Sequence, residues 1–118
     1  MPTAKLTTAP HILIGDLGTD LGLTAEDLAS CLRTNVRTLE RWHETDTYPQ
    51  TQARGKLGEL EALHEHLRQT FSTGEARRDW LRRPSPYLGE LSPVDAIRAG
   101  RVDRVEAALQ ALEQGIHA

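Results

Sequence analysis

The chain has 118 residues, enough for one modest domain or two small modules sharing a core. Hydrophobic residues make up 38% and charged residues 26%, ordinary for a globular protein and unlike a disordered, collagenous or membrane chain. A net charge of −3 excludes nucleic-acid binding by the whole surface, so any DNA contact must come from a local patch.

In chain order, the Thr/Ala/Pro-rich segment from Met1 to Pro10 reads as a loose leader, and the apolar run HILIG is too short for a signal-peptide core. No apolar run approaches the ~20 residues that cross a bilayer. A cytoplasmic location is therefore expected, with no membrane contact. His11 to Leu23 predicts a short first helix, although Gly15 and Gly18 each cost it up to ~1 kcal/mol against Ala. Thr24, followed three residues later by Asp27, predicts a capped start, and Leu28 and Leu32 lie one turn apart on one face. A second start falls at Thr34 or Asn35, with Leu39 and Trp42 as its apolar side. HETDTYPQT breaks the pattern.

From Gln52 to Phe71 the apolar spacing is helical, running through Leu57, Leu60, His64, Leu67 and Phe71 with Leu63 alongside. Ser72 with Glu75 has the spacing of a capping box and predicts a helix through Trp80 and Leu81, stopped by Pro84 and Pro86. Ser92-Pro93-Val94-Asp95 predicts a strongly marked short helix ended by Gly100. The last helix carries Val102, Val105, Leu109 and Leu112 on one stripe and is expected to end at Gly115. Nothing alternates with period two for long enough to make a strand. The expected fold is all-α, with an N-terminal module over residues 1–50, a connecting helix over 51–71 and a C-terminal module over 72–118.

The stretch LASCLRTNVRTLERW, Leu28 to Trp42, has the parts of a helix-turn-helix. Ala29 is small where two helices must cross, Leu28, Leu32, Leu39 and Trp42 supply the inner faces, and Asn35 suits an N-cap. Arg33, Arg37 and Arg41 against Glu40 leave a local charge of +2. The spacing resembles the helix-turn-helix of Xre/Cro-type DNA-binding proteins. That resemblance implies that the second helix reads DNA, with Asn35, Val36, Arg37, Thr38, Glu40 and Arg41 on its outer side. Arg37 or Arg41 would suit guanine, and Val36 a thymine methyl. Two positions depart from the pattern: the turn residue that is commonly Gly is Arg33, and the next, commonly apolar, is Thr34. A helix-turn-helix fold without DNA binding is the competing expectation in so acidic a chain.

The C-terminal stretch, FSTGEARRDWLRRPSPYLGELSPVDAIRAGRVDRVEAALQALEQGI, sets Trp80-Leu81, Pro84, Pro86, Leu88-Gly89, Pro93 and Asp95 in a fixed order. This looks like the toxin-binding domain of the Xre/MbcA/ParS antitoxin family, over roughly Leu63 to Ile116, and a helix-turn-helix ahead of it completes that family's layout. The resemblance implies an all-helical antitoxin, commonly dimeric. Its partner would be a RES-domain toxin that consumes NAD or transfers ADP-ribose from it, and the pair would bind operator DNA. The motif residues are expected to pack or cap. Toxin contact is expected from the last helix and tail: Arg101, Arg104, Gln114, Gly115, Ile116, His117 and Ala118. Gly115 to Ala118 either plugs the toxin's NAD pocket or frays. A stand-alone helix-turn-helix regulator, using the C-terminal module to oligomerise, is the alternative.

Enzyme readings are weak. His64 and His66 are two apart on a helix and face different ways, Asp16 and Asp20 read as a solvated turn, and Glu59, Glu61 and Glu65 with Arg68 read as a solvated face. Gly15, Gly18 and Gly22 lack the strand-then-helix context of a phosphate loop. Cys31, the single cysteine, falls inside the helix-turn-helix, where a buried thiol is inert. No catalytic residue, metal site or cofactor is expected.

Overall fold

The computed structural model describes residues 6–45 and 49–117, the last two as backbone only. Met1 to Lys5 of the expected leader and Asp46 to Tyr48 of the expected break lie outside the described residues. Among those described there are seven α-helices and no strand: α1 (Pro10–Leu21), α2 (Ala25–Cys31), α3 (Val36–Glu44), α4 (Thr51–Thr70), α5 (Gly74–Arg82), α6 (Pro93–Arg98) and α7 (Val102–His117). A 3-10 turn, Pro86–Leu88, links α5 to α6. The fold is all-α, as the residue pattern predicts.

The 3-4 spacing of leucines along α4 explains the layout. Leu57, Leu60, Leu63 and Leu67 are all fully buried, so α4 is wrapped by α1, α5 and α7. Each such leucine contributes on the order of 1.5–3 kcal/mol of transfer free energy. The same core takes in Leu13, Leu17 and Leu21 of α1, Leu39 and Trp42 of α3, Leu81 of α5, Ile97 of α6, and Val102, Val105 and Leu109 of α7. It therefore runs without a break from the N-terminal helices to the C-terminal ones. Gly15 has a packing role that offsets its helical cost: a Cβ there would lie 3.3 Å from His43 Nε2, so α1 and α3 cross closely at that point.

Local caps fall largely where the sequence places them. Thr24 and Asp27 form a reciprocal box: Asp27 N–H donates to Thr24 Oγ1 at 3.0 Å and Thr24 N–H to Asp27 Oδ2 at 2.9 Å. Ser92 and Asp95 repeat it at α6, with Pro93 in the first turn. Three expectations need correction. The cap of α5 is Thr73, whose Oγ1 accepts from Ala76 N–H, and not Ser72; Arg77 Nε donates to Phe71 O, so the chain stays extended one residue longer. Gly115 does not end α7, which continues to His117. The segment before α1 is not loose where it is described: Leu6 packs on the core, and Glu61 accepts from Thr7 N–H, Thr7 Oγ1 and Thr8 N–H. Glu61 is therefore an anchor and no part of a solvated face. Burial pushes its carboxyl up, but these hydrogen bonds outweigh burial and hold it below its ordinary value.

The two halves are tied by polar contacts as well as by the core. Asp20, expected in a solvated turn, lies 2.7 Å from His64 Nε2 and accepts from Arg77 Nη1 at 2.8 Å. Arg78 Nη1 donates to Asp20 O and Arg82 Nη2 to Gly22 O, so arginines of α5 satisfy the carbonyls that α1 leaves open at its C-terminus.

Candidate functional site

α2 and α3 are joined by a short, closed turn. Ala29 is buried at the crossing, with Leu28, Leu32, Leu39 and Trp42 around it. The turn closes by two backbone bonds, Arg33 N–H to Ser30 O and Thr34 N–H to Ala29 O. Arg33 takes φ 56°, a left-handed conformation that glycine adopts at least cost. The departure from the common Gly is thus accepted as backbone strain, and the turn is kept. Asn35 caps α3 by accepting from Thr38 N–H at 2.8 Å. Beyond the cap, Arg37, Glu40 and Arg41 are exposed, while Val36 and Thr38 are half-buried. The six residues expected to read DNA therefore share the outer side and N-terminus of α3. Thr38 and Arg41 also look onto a polar depression between α3 and the start of α4, together with Arg33, Thr34, Gln50 and Gln52.

Cys31 lies beneath this unit, buried, with burial pushing its thiol up to about 11. At neutral pH it is protonated and unreactive. Among the described residues no group of three or more His, Cys, Asp or Glu is placed to hold a metal, and no helix is long and apolar enough to cross a membrane.

In the C-terminal half, Ser85 closes the segment after α5 upon itself. Its N–H donates to Leu91 O, its carbonyl accepts from Leu88 N–H and Glu90 N–H, and its Oγ accepts from Tyr87 N–H. Gly89 and Glu90 both adopt left-handed backbone, at φ 63° and 70°. The result is a tight loop that leaves Tyr87 50% and Leu91 56% exposed while Leu88 is buried. Beside Leu91, a small depression is lined by Leu88, Asp95, Ala96, Ala99, Arg101 and Arg104. Of the residues expected to meet a toxin, Arg101 and Arg104 meet here. Gln114 and Gly115 sit roughly 15 Å further along α7, where a Cβ on Gly115 would stand 3.6 Å from Tyr87 Oη. The side chains of Ile116 and His117, and Ala118 entirely, lie outside the described residues.

Tyr87 and Leu91 were missed from sequence. Their only signal is two apolar residues in a short non-periodic stretch between prolines, which does not say which of Tyr87, Leu88 and Leu91 turns inward. The remaining motif residues behave as packing and capping groups: Leu81 and Pro93 are buried, Asp95 caps α6, Gly89 makes the turn, and Trp80 meets Phe71 with ring centroids 6.0 Å apart. Pro84 and Pro86 are exposed and serve only to stop α5 and start the 3-10 turn.

Comparison with known proteins bears on both ends. Residues 66–115 match the family model described as the antitoxin Xre/MbcA/ParS C-terminal toxin-binding domain. The mycobacterial cidal antitoxin MbcA of Mycobacterium tuberculosis is 28% identical over 96 residues, covering 81% of this chain and 84% of the relative. The protein of that name from Mycobacterium bovis gives the same figures. A chain in the crystal structure of the M. tuberculosis MbcT-MbcA toxin-antitoxin complex superposes with a TM-score of 0.69 over 93% of this chain and 98% of that one. Its 24% identity supports the likeness of fold alone.

Proposed function

We propose, from the match of residues 66–115 to the toxin-binding domain of the Xre/MbcA/ParS antitoxins, that this chain is an antitoxin of that type and silences a RES-domain toxin which consumes NAD or transfers ADP-ribose from it. We further propose that it binds its own operator as a homodimer in the cytoplasm. The observation that carries the toxin-binding part is the exposed edge of the matched domain. Leu91 stands half out of water beside Arg101 and Arg104, and Tyr87, half out of water in the same loop, reaches toward Gly115 of α7. An aliphatic side chain and arginines around a small depression, with an exposed aromatic ring on the same loop, are the kinds of group that anchor protein interfaces. Covering such apolar area contributes about 25 cal/mol per Å².

The inhibitory step follows from the far end of α7. Gly115 adjoins Tyr87, so a toxin held on Tyr87 and Leu91 has this part of α7 at hand. An NAD pocket must be cationic to hold a pyrophosphate, and the end of α7 is the segment we propose enters it. The helix-turn-helix supports the second activity. Arg37 and Arg41 project from α3 as groove-reading groups, and two copies of the chain would address two half-sites about one helical turn apart. No cofactor enters either step.

Co-expression with the product of the neighbouring reading frame tests the reading. A stable complex in which the partner's NAD-consuming activity is lost is the expected result. A neighbouring frame that encodes no such toxin, together with failure to co-purify, would overturn it.

A further inference from the structure

Two depressions join across the turn of the helix-turn-helix. The first lies between α3 and the start of α4 and includes Arg33, Thr38, Arg41, Gln50 and Gln52. The second continues from Arg33 and Gln52 past Gly55 and Lys56 to Gly100 and Arg101. Leu32, Arg33 and Gln52 line both, so they form one groove. Its charged lining is Arg33, Arg41, Lys56 and Arg101 against Glu59, with Arg101 also paired to Asp103 at 3.0 Å, in a chain whose net charge is −3.

Three details point to an anionic occupant. Arg33 is exposed, and among the described residues no carboxylate or hydrogen-bond acceptor engages its guanidinium. It also holds a left-handed backbone that glycine would adopt without strain, so the position keeps a cation at the expense of conformational ease. Finally, Gly55 stands inside α4 with nothing within 4 Å of where its Cβ would be. No packing contact accounts for a glycine there, and its absence of side chain keeps the groove open. Lys56 forms the far wall, with Nζ donating to Gly100 O at 2.8 Å and to Glu59 Oε1 at 3.3 Å.

We propose that this groove, with Arg33 at its centre and Arg41, Lys56 and Arg101 along it, takes the sugar–phosphate backbone of duplex DNA beside the reading helix α3. The inference rests on the DNA-binding reading and deepens it: α3 reads bases, while α2's turn, α4 and the start of α7 grip phosphate. The groove lies next to the exposed face of α3, and its charge complements a phosphate strand. Such contacts release counterions, which makes their contribution measurable as a salt slope.

The test is a fluorescence-anisotropy titration of the full chain against a mixed-sequence duplex of about two helical turns, over a salt series. Arg33→Gly removes the charge and the strain together. The expected result is an unchanged or higher Tm, binding about fivefold to tenfold weaker near 0.1 M salt, and a slope smaller by about 0.9. Arg33→Asn, a neutral residue that tolerates left-handed backbone, should behave alike and guards against an ill-folded glycine variant. Arg101→Gln and Gly55→Glu should also weaken binding, and Arg83→Gln, exposed at the end of α5, should not. Wild-type affinity and slope in both Arg33 variants would overturn the groove. If Arg37→Ala then weakens binding, the DNA-binding reading stands without the groove; if the wild-type chain binds no duplex, both fall together.

Discussion

The guanidinium of Arg98 on α6 reaches across to Asp27 on α2, with Nε 2.5 Å from Oδ1. Asp27 is 1% exposed, and the same carboxylate closes the capping box of α2 through Thr24. Burial pushes this carboxyl up; the Thr24 N–H and the Arg98 guanidinium outweigh burial and leave it below its ordinary value. Ser30 Oγ donates to Arg98 O at 2.8 Å, which doubles the tie. One carboxylate therefore starts α2 and fastens it to α6.

Asp27→Ala is accordingly expected to cost about 2–4 kcal/mol, combining loss of a cap with loss of a buried charged hydrogen bond. Arg98→Ala should cost less, because Asp27 keeps its bond from Thr24 N–H. Chemical denaturation of both single variants and the double variant gives the coupling. Additive losses would show that the contact across the two halves carries no energy.

A pH dependence follows from His66. Its Nδ1 lies 2.6 Å from Glu106 Oε2 and its Nε2 2.7 Å from Glu113 Oε1, so the imidazolium, with two donors, meets two carboxylates of α7. Burial lowers its pKa, but the hydrogen bonds to Glu106 and Glu113 outweigh burial, and the net shift is upward. The folded pKa then exceeds the unfolded value of about 6.5. Its stabilisation is complete below that value and is lost as pH rises through the raised folded pKa. Asp20, Asp27 and Glu61 act in the opposite sense: their lowered carboxyls stabilise above about pH 4 and cease to do so as pH falls. Thermal melts should therefore peak between roughly pH 5 and pH 6.5 and decline toward pH 8. His66→Gln should flatten the alkaline decline. An unchanged decline would mean that α4 and α7 are not joined through His66.

What the sequence made legible is what local chemistry decides. Thr24 with Asp27, Asn35, and Ser92-Pro93-Asp95 act within three residues of themselves, and their helices start where those residues stand. Adjacent hydroxyls defeat that logic only narrowly, at Ser72 and Thr73, where a contact from Arg77 to Phe71 decides between two equivalent caps. The links that hold the halves together are of another kind. Asp20 to His64 and Arg77, Glu61 to Thr7 and Thr8, and His66 to Glu106 and Glu113 join residues 40 to 57 apart, and no periodicity encodes which charges will meet. The exposed edge at Tyr87 and Leu91 was unreadable for a related reason: whether an apolar side chain faces water depends on what the rest of the fold brings over it.

The two surfaces separate by mutation. Arg37→Ala and Arg41→Ala are exposed changes on α3, expected to weaken operator binding severalfold and to leave inhibition of the toxin intact. Tyr87→Ala and Leu91→Ala should do the reverse, since both are exposed and lie in the matched domain. Deleting residues 115–118 divides the toxin contact further. If the tail fills the NAD pocket, the truncated chain still captures the toxin through Tyr87 and Leu91 but no longer stops NAD loss, so binding and inhibition part company. If the tail only frays, truncation leaves both as they were, and the edge at Tyr87 and Leu91 must itself occlude the toxin. Pull-down and NAD-loss assays on the same purified pair distinguish these outcomes. A truncated chain that binds and inhibits like the full one would remove the plug and leave α7 with a scaffolding part alone.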